Sequence, residues 1–128
     1  MPQRERAAMA EGVRMAAVDL GAESGRVVLG AFDGQRLELD VAHRFANRPL
    51  WLPDGLHWNL PALFLETLHG LGVAAASGTL RSVGVDSWGC DYALLDAGER
   101  LLGLPYHYRD GRTTPAVVAQ AHARVGRD

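Results

Sequence analysis

The sequence predicts an α/β domain: a three-strand antiparallel meander, then a crossover helix and a strand parallel to the first. Three observations carry that reading. Two acid-ended apolar runs, MAAVDL at 15–20 and RSVGVD at 81–86, have the character of buried strands. Turn signals at GAESG (21–25) and at Asp33-Gly34 separate the first run from two further strand-like stretches. One segment of helical periodicity then lies ahead of RSVGVD.

Each element follows in chain order. Residues 1–14, MPQRERAAMAEGVR, are charged and lack a secretory apolar core, so they read as a disordered leader, with structure expected over 15–128. RVVLGAF at 26–32 is β-branched and apolar, and LELDVAHRF at 37–45 alternates. Residues 47–55 read as a loop holding two prolines and Trp51. Asn59 can cap a helix that tolerates Pro61 in its first turn, and Leu60, Leu63, Phe64, Leu68 and Leu71 give it one apolar face. Ser77-Gly78 stops it. YALL at 92–95 reads as a further short strand before the turn at Asp96-Ala97-Gly98. Residues 101–112 are a loop rich in aromatics and arginine, and 114–125 form a helix opening at Pro115.

A crossover helix should lay the second acid-ended strand beside the first and parallel to it. Asp19 and Asp86 then stand at the carboxyl ends of neighbouring central strands, the edge at which open α/β sheets take ligands.

Composition sets the limits. A chain of 128 residues with 48% apolar content can build one core. The net charge is −2, from 13 basic and 15 acidic residues dispersed along the chain, which argues against a nucleic-acid partner. No apolar run approaches a membrane span. Every basic residue is arginine, so chemistry needing a lysine is excluded. Cys90 is the only cysteine; no internal disulfide can form, which fits a cytoplasmic setting.

Three constellations could carry chemistry. The loop in VDLGAESGR (18–26) runs from strand to strand, so it is neither a Walker loop nor a dinucleotide fingerprint, both of which need a helix next. A tight hairpin can still offer successive N–H groups as an anion nest, with Ser24 adding a hydroxyl. The alternative is a plain β-turn, and Glu23 suits phosphate only if it points outward. Asp19, Asp86 and Asp91 suit Mg²⁺ held largely through water, although strand-end aspartates also simply cap turns. In DSWGCD (86–91), Gly89 allows close approach, Trp88 could wall a pocket and Asp91 could accept from sugar hydroxyls. Cys90 reads as a small buried apolar residue rather than a nucleophile. His43, His57 and His107 have no metal-ligand spacing and read as structural or rim residues. YHYRDGR at 106–112 is either a salt-bridged surface loop or a wall of the substrate cleft.

VDLGAESGR, HRF at 43–45, VGVDSWGCDYALLD at 83–96 and GLPYHYRDGRT at 103–113, in that order, resemble the N-terminal part of FGGY carbohydrate kinases of the rhamnulokinase type. The resemblance covers about residues 15–125. It implies an actin-like, ribonuclease H-type fold, here as an incomplete domain of a two-domain kinase. It implies ATP-dependent phosphorylation of L-rhamnulose at its 1-hydroxyl with Mg²⁺. Ala22, Glu23, Ser24, Gly25 and Arg26 correspond to the ATP-phosphate loop, Gly89 and Asp91 to sugar-contacting positions, and Asp19 to the acid facing metal through water. It also implies that the general-base aspartate comes from beyond Asp128, leaving no catalytic base in this chain and the isolated chain inactive. An unfinished domain face should expose apolar surface and favour self-association. Another FGGY kinase, such as a xylulokinase-like one, is the alternative among enzymes. A metal-dependent ribonuclease H-like nuclease using Asp19, Glu66 and Asp86 is an alternative of another class, as is a non-catalytic truncated fragment.

Overall fold

The computed structural model describes residues 12–126, so the leader expected over 1–14 lies outside the described residues as far as residue 11. Val13 and Arg14 already belong to the first strand, β1 (Val13–Leu20), two residues earlier than MAAVDL suggested. The remaining strands are β2 (Ser24–Phe32), β3 (Leu37–Ala46), β4 (Leu50–Leu52), β5 (Gly55–His57) and β6 (Ser82–Asp86). The helices are α1 (Leu60–Ala75) and α2 (Pro115–Val125).

Two compact units divide these elements. The first takes residues 12–47 and 61–88, and the second takes 48–60 and 89–126. The first holds a four-stranded sheet in the order β3-β2-β1-β6, with β1–β2 and β2–β3 antiparallel and β1–β6 parallel. That is the expected meander, crossover and parallel strand.

Register decides which side chains meet the helix. Val18 pairs with Val27 and Ala16 with Leu29; these four are buried and form the core with Ala74 of α1. Helix and sheet touch at Gly70, where an added Cβ would lie 2.4 Å from Val27 Cγ2. The buried stripe of α1 is therefore Leu63, Gly70 and Ala74, with Leu71 packed beside it; of the expected face Leu63 and Leu71 meet the core, whereas Leu60, Phe64 and Leu68 are exposed. The helix is apolar nearly all round, so periodicity fits more than one stripe; the small residues choose, because only they let backbone approach β2.

A bulge explains the third strand. His43 pairs with Val27 and Val41 with Val28, so Ala42 is an extra residue in β3. It moves the odd-numbered residues from one sheet face to the other. Leu37, Leu39 and Val41 share the face away from α1 and are exposed, whereas Phe45 is buried against Gly25. His43 turns toward α1 and meets Glu66, Nε2 to Oε2 at 2.6 Å.

The second unit is built differently. β4 and β5 form a hairpin inside the segment read as a loop over 47–55. Pro53-Asp54 is its two-residue connection, and Gly55 follows at φ 139°. The proline presets the turn and the glycine accepts the positive φ. Trp58 N donates to Pro105 O at 2.9 Å and His107 N to Leu56 O at 2.9 Å, laying residues 105–107 along β5. YHYRDGR is thus neither a free surface loop nor merely a wall: its backbone completes this unit. YALL is not a strand; Leu95 makes one bridge to Leu101 at the neck of a turn whose amides, Gly98 and Arg100, donate to Asp96 Oδ1. Its side chains Tyr92, Leu94 and Leu95 are exposed, with no ladder to pack them. Helix α2 begins where expected, with Thr114 Oγ1 accepting from Val117 N at 3.3 Å and Pro115 in its first turn.

Candidate functional site

The glycine loop is a tight hairpin between β1 and β2, closed by Gly21 N donating to Ser24 O at 3.0 Å. Gly21 is needed for that closure, since a Cβ there would sit 2.8 Å from Ser24 O. Gly25 is needed for another reason. It is buried, and the Phe45 ring occupies the place a Cβ would take, at 2.3 Å. Its glycine serves packing on the helix side of the sheet. Glu23 and Ser24 are exposed at the tip.

Asn47 is the residue that sequence reasoning missed. It follows β3, is 4% exposed, and fastens the hairpin twice. Its backbone N donates to Glu23 O at 3.0 Å and its Nδ2 to Gly21 O at 2.9 Å. Only an asparagine directly after HRFA, facing a glycine turn, could have hinted at this, and the pairing depends on a bulged register.

Asp19 and Arg26 are cross-strand partners on the sheet face opposite α1. Arg26 Nε and Nη2 both reach Asp19 Oδ2, at 2.8 and 2.7 Å. Asp19 also pairs in register with Asp86 across the parallel β1–β6 ladder, so the two carboxylates end neighbouring strands as expected. Two strand-end acids beside a glycine hairpin are a donor set that fits a largely hydrated Mg²⁺ accompanied by phosphates. Among the described residues no group of three or more His, Cys, Asp or Glu could by itself hold a metal ion. The nuclease reading fails there, because Glu66 is engaged with His43 instead of joining Asp19 and Asp86.

In the second unit, a cleft of about 500 Å³ is lined by Cys90, Asp91, Tyr92, Tyr106, Tyr108 and Arg112 among others. Asp91 Oδ2 accepts from Trp58 Nε1 at 2.6 Å and from Tyr108 N at 3.2 Å, which fixes the carboxylate at the cleft wall. Trp58 is buried and stacks on His107 with ring centroids 3.9 Å apart. Burial holds the His107 imidazole below its ordinary range; Asp91 opposes the shift and Arg109 assists it. Arg112 lies over the Tyr106 ring at 3.6 Å. An added Cβ at Gly89 would meet nothing within 4 Å, leaving open space beside it. Cys90, expected as a buried apolar residue, is exposed. It follows the end of β6 in irregular chain, where no strand or helix covers it. His57 and His107 are buried structural residues as expected, His57 Nδ1 meeting Leu104 O at 3.0 Å.

No protein-family model matches the chain. It is 47% identical to a rhamnulokinase of Pectobacterium atrosepticum over 115 residues, 88% of this chain and 23% of that protein. It is 41% identical to one of Bacteroides thetaiotaomicron, over 80% of this chain and 21% of the relative. A rhamnulokinase of Mannheimia succiniciproducens is 40% identical over 91% of this chain and 24% of its own length. Among solved structures, a carbohydrate kinase from Novosphingobium aromaticivorans aligns with TM-score 0.66 and 23% identity, over 91% of this chain and 23% of that one. The sequence relationship to rhamnulokinases is thus plain over most of the chain, and the fold is a partial α/β domain of the carbohydrate-kinase, actin-like kind. The chain spans about a quarter of the length of the curated relatives it matches. No helix among the described residues is long and apolar enough to cross a membrane.

Proposed function

We propose that this chain carries the nucleotide-phosphate hairpin and part of the sugar site of an ATP-dependent kinase that phosphorylates L-rhamnulose at its 1-hydroxyl in the cytoplasm. The observation that carries it is the setting of Asp19: paired to Arg26 at the foot of a glycine hairpin and in register with Asp86. Bound Mg²⁺ would neutralise phosphate charge beside those carboxylates. The backbone of Ala22, Glu23, Ser24 and Gly25 binds phosphate, Ser24 offers a hydroxyl, and Arg26 holds Asp19 in place while adding positive charge. Gly89 leaves room for a sugar, and Asp91, fixed by Trp58 and the Tyr108 amide, accepts from its hydroxyls.

On this reading the general base lies outside these 128 residues, and the chain alone does not turn over. A coupled assay of the purified chain with MgATP and L-rhamnulose should release no ADP. Turnover abolished by Asp86→Asn would contradict the placement of the base. Cys90, the single cysteine, lines the same cleft as Asp91, so its alkylation reports sugar binding. L-rhamnulose should slow that reaction at concentrations where D-xylulose does not; the reverse order favours a xylulokinase-like specificity.

A further inference from the structure

We propose that Asn47 is the positioning residue of the hairpin, turning its amides toward a polyphosphate. The inference rests on the reading of that hairpin as a phosphate loop. Asn47 draws two carbonyls of the loop to itself, that of Gly21 through Nδ2 and that of Glu23 through its backbone N. In a planar trans peptide the C=O and the following N–H point in opposite directions. Fixing the Gly21 carbonyl on Asn47 therefore sends the Ala22 N–H away from it, and fixing the Glu23 carbonyl does the same for Ser24 N–H. The two carbonyl dipoles that would repel an anion are thereby taken up by Asn47, and the amides of the same two peptides are directed away from it.

The side-chain amide has one orientation here, because only Nδ2 can donate to a carbonyl. Its Oδ1 is buried without a hydrogen-bond partner among the described residues. The position is specified by the loop it fastens. The same sheet end is rigid: Phe45 lies over Gly25 and stacks on His43 with centroids 5.6 Å apart, so β3 delivers Asn47 to the hairpin from a packed base.

The test uses the whole chain, ¹⁵N-labelled, titrated with MgATP and separately with tripolyphosphate. In the wild type, the amides of Ala22 and Ser24 should shift with either ligand. Asn47→Ala and the isosteric Asn47→Asp should each weaken both ligands at least tenfold. The amides of Val18, Val27 and Leu29, in the core of the same unit, should keep their wild-type shifts, which shows that the variants fold. Asn47→Asp adds a readout that structural support alone would not move: its carboxyl donates to Gly21 O only when protonated. Its phosphate affinity, relative to wild type at each pH, should recover as pH falls through the carboxyl range. If the wild type binds and both variants bind equally well at neutral pH, Asn47 does not position the loop. If the wild type binds neither ligand, the phosphate-loop reading itself falls, and this inference with it.

Discussion

The two units of this chain are stabilised in different ways, and the candidate sites inherit the difference. In the first unit, regular ladders set the register and an apolar layer of Val18, Val27 and Leu29 meets one helix. Its site is backbone held at a sheet end, with Asp19, Arg26 and Asp86 fixed by strand pairing. In the second, the regular elements are a hairpin of two three-residue strands and helix α2, which buries none of its residues. The rest is held by side chains bonded to backbone, such as Asp110 Oδ2 accepting from Leu56 N at 2.8 Å, and by stacked rings around Trp58. Its site is made of side chains. A phosphate is read by amides and a sugar by carboxylates and rings, so each mode of construction suits the ligand proposed for it.

Removing the centre of the second unit should have the largest effect. Trp58→Ala deletes a side chain that is 2% exposed, together with its bond to Asp91. It should cost about 3–5 kcal/mol, read by chemical denaturation, and should abolish sugar protection of Cys90. Trp58→Phe should recover part of the stability and little of the protection, since the indole donor is gone.

In the first unit the sensitive point is the contact between helix and sheet. Gly70→Ala forces a methyl to within 2.4 Å of Val27 Cγ2, and should cost about 1–3 kcal/mol through overpacking. Phe64→Ala on the exposed side of the same helix should cost far less, because that ring is 61% exposed. A large loss at Phe64 with none at Gly70 would restore the helix face suggested by periodicity.

Acid should separate the units next. The His107 imidazole is held below its ordinary value of 6.5 mainly by burial, so the unfolded chain takes up that proton first. The contribution is present above 6.5 and is lost as pH falls below it. Asp110 is held below 3.8 by the Leu56 amide and then the Arg112 amide, so its contribution is present above 3.8 and lost as pH falls through the lowered value. Amide exchange at Leu56 and His107 should therefore quicken in mild acid before exchange at Val18 and Val27. Simultaneous loss in both units would remove the distinction.

The smallest effect on stability belongs to the exposed ion pair. Arg26→Gln should change it by no more than about 1 kcal/mol, because an ion pair this open to solvent is well screened. MgATP binding should fall at least tenfold nonetheless, a split that a purely structural pair would not give.

The meander, the crossover and the alignment of Asp19 with Asp86 were legible because each depends on short-range pattern. Turn residues fix the hairpins and one helix dictates a parallel return. What was not legible required knowledge of partners. Ala42 inverts the faces of β3 with no turn residue to announce it. α1 has too many leucines for periodicity to pick a face, and Gly70 and Ala74 pick it by closeness. Pro53-Asp54-Gly55 does carry a turn signal, but the strands on either side are three residues each, too short for alternation to show. The roles of Asn47 and of residues 105–110 depend on bonds across long stretches of chain, which no local pattern records.

The most direct test of the account is to map both ligands on one ¹⁵N-labelled sample of the chain. MgATP should shift amides in 21–26 and leave Gly89 and Asp91 unchanged, while L-rhamnulose should shift Gly89 and Asp91 and leave the hairpin unchanged. Shifts from L-rhamnulose at the hairpin, or from MgATP at Gly89 and Asp91 alone, would contradict the assignment of phosphate to backbone and sugar to side chains.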